Sequence, residues 1–142
     1  TPKPSSAASD VYKRQDNGFR PTFAMMRHAA VYTNDNDRDE AISAIQGVLG
    51  QFENLFRNMD DVLNGFPQKV SLDDLEGREQ YNPHMLEENL LFGSPDVVIE
   101  KLKRYQALGV DEFIFYASMG MGIEAQKRSL QLFCDEVVPA FQ

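Results

Sequence analysis

The chain has 142 residues, a formal net charge of −8, 42% hydrophobic residues and 25% charged residues. These values fit one globular domain with a sizeable core. The acidic balance excludes nucleic acid and anionic membrane surfaces as natural partners, and no apolar run reaches the roughly 20 residues that span a bilayer. The single cysteine, Cys134, excludes an internal disulfide and a cysteine-rich metal cage. With no secretory apolar segment in view, a reducing, cytoplasmic setting is expected.

Residues 1–15, TPKPSSAASDVYKRQ, have no apolar period and carry two early prolines. The run SSAASDVYKRQ resembles translated sequencing-adapter read-through. On that expectation residues 1–15 are a non-native or disordered tail, and residues 16–142 carry the fold. Pro21 opens a strand over Thr22–Thr33. Both of its faces are largely apolar, as in a parallel strand covered on each side. One of Arg27 and His28 then points into a barrel interior or cleft, and the other towards a covering helix. Asn34 to Asp37 cap a helix running to about residue 58 and fraying into Asn64-Gly65-Phe66-Pro67, with Ile42, Ile45, Leu49, Phe52 and Phe56 as its inward stripe. Gly47 and Gly50 in that helix suggest close packing against a strand.

Residues 65–89 read as an irregular, lid-like connection. Ser71 with Asp74 resembles a capping box for a short helix, and Asn82-Pro83 marks a second helix start. The last block is the most regular. Leu90-Leu91-Phe92 is a short buried strand closed by Gly93. Ser94, Pro95 and Asp96 start a helix with the stripe Val98, Leu102, Tyr105 and Leu108. Glu100 pairs with Arg104 on its wet side, and Gly109 stops it. Phe113–Ala117 is a strand apolar on both faces, followed by the glycine-rich loop SMGMG. A final helix over about 123–138 turns Ile123, Leu130, Phe133 and Val137 inward and stops at Pro139. The order strand–helix, connection, strand–helix, strand–helix is half of a (β/α)8 barrel or part of a doubly wound sheet.

The segment GSPDVVIEKLKRYQALGVDEFIFY, the tail EAQKRSLQLFCDEVVPAF and the upstream AAVYTNDNDRDEA together resemble the luciferase-like flavin-dependent monooxygenases (the bacterial luciferase family). The resemblance covers most of residues 21–142. It implies an α/β fold forming the C-terminal part, about strands 6–8 with their helices, of a (β/α)8 TIM barrel. A full barrel needs roughly 250 residues, so the chain would be a fragment. The resemblance also implies reduced FMN with O2, or coenzyme F420 in an oxidoreductase on the same barrel. It further implies a small organic substrate, a flavin reductase as partner and no metal. Homo-oligomers through exposed barrel edges are expected. The non-enzyme alternative is a half-barrel acting as an interaction module.

Barrel chemistry lies at the carboxyl ends of the strands. That selects Tyr32 to Asn34, Gly93-Ser94 and Tyr116 to Met121. Arg27, Tyr116, Met119, Gly120 and Met121 are the candidate cofactor- or substrate-binding residues. The methionines supply either an adaptable apolar wall or ordinary packing. His28 is the catalytic candidate, as an acid/base or a flavin contact; the competing reading is a hydrogen-bonded core histidine. Gly93-Ser94 offers free N–H groups to an anion, but Asp96 in that turn repels one, which favours plain capping. His84 is expected exposed and Cys134 structural, since no base adjoins it.

Overall fold

The computed structural model describes residues 22–57, 62–67, 77–117 and 119–142. The expectations for residues 1–15, for the Ser71–Asp74 capping box and for Ser118 lie outside the described residues. The first strand, β1 (Ala24–Val31), leads into α1 (Asp35–Arg57). A two-strand hairpin follows, β2 (Val62–Leu63) and β3 (Phe66–Pro67), then a 3-10 turn (Glu79–Tyr81) and α2 (Pro83–Asn89). The chain continues as β4 (Leu91–Gly93), α3 (Pro95–Ala107), β5 (Glu112–Tyr116) and α4 (Ile123–Leu132). It closes with a π turn (Phe133–Val137) and a 3-10 turn (Val138–Phe141).

The three longer-range strands form one parallel sheet in the order β4–β1–β5. The last three residues of β1 pair with β4 (Ala29↔Leu91 to Val31↔Gly93), and its first five pair with β5 (Ala24↔Glu112 to His28↔Tyr116). Consecutive winding around a barrel would place β4 between β1 and β5. Here the first strand is central and the later two flank it in a small parallel sheet. Helices accordingly cover both sides. Ala30, Tyr32 and Phe92 pack against Ala41, Ile42 and Ile45 of α1, with Met119, Met121 and Ala125. Ala29, Val31 and Leu91 pack on the other side against Val98, Leu102 and Val137. Burying a side chain the size of Ile45 or Phe92 contributes about 1.5–3 kcal/mol.

The expected two-sided cover of β1 holds only for its carboxyl half. Residues 29–31 are buried, whereas Met26 is 58% exposed and its partner Ile114 49% exposed. The helix stripes end early for the same geometric reason. At about 1.5 Å per residue α1 is roughly 34 Å long, longer than the buried part of the sheet. Ile42 and Ile45 are buried, but Phe52 is 51% exposed; the side chain of Phe56 lies outside the described residues. Leu108 caps α3 instead of joining its stripe and faces solvent. In α4 the inward positions are Ala125 and Ser129, continuing to Val137, so Ile123 and Leu130 face outward. Pro139 does not end the helical path: it sits in the first turn of the closing 3-10 segment, where its missing N–H is not needed.

Two glycine readings separate. Among the described residues a Cβ on Gly47 would meet nothing within 4 Å, so close packing against them does not explain it. Gly93 has φ +148°, and a Cβ there would lie 2.8 Å from Val97 Cγ1. Asn64-Gly65, expected to be the frayed end of a helix, is instead a hairpin turn with φ of 53° and 84°, as the Asn-Gly pair dictates. Asn82 caps α2, its side chain accepting from the His84 N–H at 2.9 Å. Ser94 and Pro95 open α3 as expected, though the Ser94 hydroxyl makes no capping bond.

Candidate functional site

In an open α/β sheet, ligands bind outside the carboxyl ends of the strands, where the winding reverses. That point lies between β1 and β5, and α4 fills it. β5 stops opposite His28, so the N–H of Val31 has no strand partner on that side. Ser129 Oγ accepts it at 2.8 Å. Arg128 donates from Nε (3.0 Å) and Nη2 (2.6 Å) to the buried carboxylate of Asp37 at the start of α1. Asn34 Nδ2 adds a third bond to Asp37 at 3.1 Å, and the Gly122 N–H donates to Glu40 Oε1 at 2.6 Å. The Arg128 hydrogen bond holds the Asp37 carboxyl below its ordinary range. This polar seam ties the two helices together and closes the β1/β5 crevice.

The β4 side stays open. A pocket of about 520 Å³ is lined there by Tyr32, His84, Glu87, Gly93, Ser94 and Lys101. Tyr32 directly follows β1 and is 8% exposed; its hydroxyl donates to Glu87 Oε1 at 2.6 Å. Arg38, one turn into α1, grips the same carboxylate through Nε (2.6 Å) and Nη2 (2.9 Å). The Arg38 bonds hold the Glu87 carboxyl below its ordinary range, while burial and then Glu87 push the Tyr32 phenol up. Lys101 on α3 donates to the carbonyls of Glu87, Leu90 (2.9 Å) and Phe92 (2.9 Å). It thereby satisfies backbone acceptors left over at the end of α2. Burial lowers its pKa. These hydrogen bonds tie Tyr32, Arg38, Glu87 and Lys101 together in the wall, which has an acidic bias from Glu87 and Glu88.

The sequence-selected residues distribute unevenly. Tyr32, Gly93 and Ser94 do meet in this pocket. His28 and Tyr116 meet each other, ring centroids 4.7 Å apart, but four residues before Tyr32, or about 13 Å along the strand. His28 is half-buried; its Nδ1 is buried without a hydrogen-bond partner among the described residues, and burial lowers its pKa. Arg27 is exposed. Met119 and Met121 are buried in the core beneath α1. Met119 and Gly120 also border an open apolar groove of about 580 Å³ along α1, with Phe52 and Leu55. His84 is exposed as expected; Cys134 is exposed too and packs into no core. Glu87, Arg38 and Lys101 were not singled out from the sequence. They lie 49 and 63 residues apart (87−38 and 101−38) and no local pattern links them.

A flavin phosphate fits this pocket poorly. Arg38 is committed to Glu87 and Lys101 to three carbonyls, and the rim carries carboxylates. Among the described residues there is no group of three or more histidine, cysteine, aspartate or glutamate side chains able to hold a metal, and no helix is long and apolar enough to cross a membrane. The described residues thus form an α/β chain with an open pocket at the carboxyl ends of β1 and β4. No protein-family model matches the chain. Over 122 residues, 86% of its length, it is 30% identical to the oxygenase component of the flavin-dependent trigonelline monooxygenase of Acinetobacter baylyi. The chain spans about a third, 34%, of that protein's length.

Proposed function

We propose that this chain is part of the oxygenase of a flavin-dependent monooxygenase of the luciferase-like class. The observation that carries the reading is the 30% identity spread over 86% of the chain. In that chemistry the flavin supplies the activated oxygen, and the protein orients the reactants and excludes water. The part given to this chain is a rigid wall at the carboxyl ends of β1 and β4, fixed by Tyr32, Arg38, Glu87 and Lys101. Because the described pocket suits a flavin phosphate poorly, the flavin (FMN in this reading) is held mainly by segments of a longer polypeptide. A separate flavin reductase delivers it reduced, in keeping with a relative described as an oxygenase component.

The test is turnover by the product of the full reading frame in the source DNA. Reduced FMN from a flavin reductase should support substrate-dependent oxygen uptake, with label from 18O2 in the product. Turnover sustained by reduced F420 and not by reduced FMN would overturn the reading, as would oxygen uptake indifferent to every substrate offered. The 142-residue chain alone should bind FMN no tighter than about 0.1 mM; micromolar binding refutes the placement of the flavin outside it.

A further inference from the structure

The parallel sheet ends on β5, whose outer edge pairs with no strand among the described residues. The opposite edge strand, β4, is three residues long and buried throughout. β5 reads Glu-Phe-Ile-Phe-Tyr and has no proline, glycine or lysine, residues with which sheet edges are commonly blunted. Its open backbone groups follow from the register. The Glu112 N–H donates inward to the Phe23 carbonyl at 3.2 Å. Alternate residues of a strand turn their backbone groups to the same side. Glu112, Ile114 and Tyr116 therefore face β1, and Phe113 and Phe115 present N–H and C=O to the free edge. Ile114 is 49% exposed, and its neighbours Met26 and Tyr116 are exposed with it, so an apolar strip adjoins that edge on one face of the sheet.

We propose that this edge binds a second copy of the chain, β5 against β5, antiparallel about a two-fold axis at Ile114. The strand is complementary to itself in that register. Phe113 falls opposite Phe115 of the second copy, and Phe115 opposite its Phe113. Both are hydrogen-bonding positions, so every outward N–H and C=O of the two residues finds a partner. An axis at Phe113 or at Phe115 would instead set the other phenylalanine against Asp111 or Ala117. On one face the phenylalanines form aromatic cross-strand pairs; on the other, Ile114 meets Ile114 of the second copy. Glu112 falls opposite Tyr116 of the second copy, a carboxylate acceptor facing a hydroxyl donor. The two Glu112 side chains stay four residues, or about 13 Å, apart along the strands, beyond the screening length at physiological salt. The inference rests on the sheet and not on the monooxygenase reading.

Analytical ultracentrifugation of the 142-residue chain tests it, with Cys134→Ser removing the exposed thiol. A monomer–dimer equilibrium should appear at sub-millimolar concentration, with no larger species, because one edge closes on itself. Added salt should tighten it, since each copy carries a net charge of −8 and screening weakens their repulsion. Ile114→Lys and Ile114→Glu each set like charges at the axis and should weaken the dimer at least about tenfold; mixed in equal amounts, the two variants should dimerise again. Amide hydrogen exchange of the parent chain carries the test if a variant does not fold. The Phe113 and Phe115 N–H groups should be protected in the dimer and lose that protection on dilution, whereas the Ile114 N–H, bonded to β1, should stay protected. A chain monomeric at millimolar concentration, a dimer unmoved by Ile114→Lys, variants that stay apart when mixed, or Phe113 and Phe115 exchange independent of concentration each overturns the proposal.

Discussion

Gly93→Ala tests how β4 is joined to α3, and so how the open pocket is framed. Two separate costs follow from the geometry. The backbone at residue 93 has φ +148°, a conformation that L side chains rarely adopt; holding alanine there costs of order 1–3 kcal/mol. The new Cβ would also sit 2.8 Å from Val97 Cγ1 and 3.0 Å from Val97 Cβ. Val97 is β-branched and on a helix, so its χ1 has little freedom to turn away, and the overlap adds about 1–3 kcal/mol. The sum, roughly 2–6 kcal/mol, corresponds to a fall in Tm of roughly 6–18 °C for a chain of this size. Urea and thermal unfolding followed by far-UV circular dichroism measure it. Val97→Ala in the Gly93→Ala background should relieve the 2.8 Å Cγ1 overlap and so recover part of the loss, leaving the backbone cost and the 3.0 Å contact with the residue 97 Cβ; Val97 is 43% exposed, so its own truncation costs little. A Gly93→Ala chain within 0.5 kcal/mol of the parent refutes the assigned backbone at this junction, and no recovery in the double variant refutes the contact.

Gly47→Ala should behave oppositely. It lies inside α1 with open space around its absent Cβ, so the variant should gain up to about 1 kcal/mol in urea unfolding; a loss would reveal a neighbour at that position. The strand order can be read with a disulfide. Met26 and Ile114 are register partners on adjacent parallel strands, so their Cα atoms lie about 4.8 Å apart, within reach of a bridge. In a Cys134→Ser background, Met26→Cys with Ile114→Cys should lose both thiols on oxidation as a monomer. Retention of both would place another strand between them, as consecutive barrel winding requires. The half-buried His28 should also make folding pH-dependent. Its pKa is lowered in the folded chain by burial, so the unfolded chain binds the proton first, near pH 6.5. Stability should therefore hold above pH 6.5 and fall as pH drops from there towards the lower folded value. The slope stays well under about 1.4 kcal/mol per pH unit because the ring is partly exposed. His28→Phe should flatten the curve between pH 6.5 and 5.5, and an unchanged slope would assign it elsewhere.

What the sequence made legible was local. Leu90-Leu91-Phe92, Gly93 and Ser94-Pro95 carry their own strand, glycine and helix start: the strand appears one residue later, as Leu91–Gly93, and the helix opens at Pro95 as expected, though without a Ser94 side-chain cap. Gly109 ends α3 with φ +90° in the same way. Asn64-Gly65 was equally local, and a hairpin was the reading it supported. Stripe ends were not legible, because whether Phe52 or Leu108 is covered depends on how far the sheet extends beneath a helix. Strand order was not legible either. A βα unit has the same hydrophobic period whether the next strand pairs on its left or its right, and β1 is long enough to offer one half of its length to each neighbour.

The site divides along the same line. Tyr32, Gly93 and Ser94 could be chosen because carboxyl ends of strands are predictable once the strands are found. Their partners could not. Glu87 reads in sequence as one acid among 22 Asp and Glu residues, on a seven-residue helix with no reason to face inward. Only the pairing of β1 with β4 brings it under the Tyr32 hydroxyl and into the fork of Arg38. The Met119 and Met121 expectation turned on a related point: the loop after β5 lies at a carboxyl end, but α4 folds back over the β1/β5 crevice and presses both methionines into the core. A carboxyl-end loop becomes a ligand wall only where the following helix leaves the crevice open, and here that condition is met beside β4 and not beside β5.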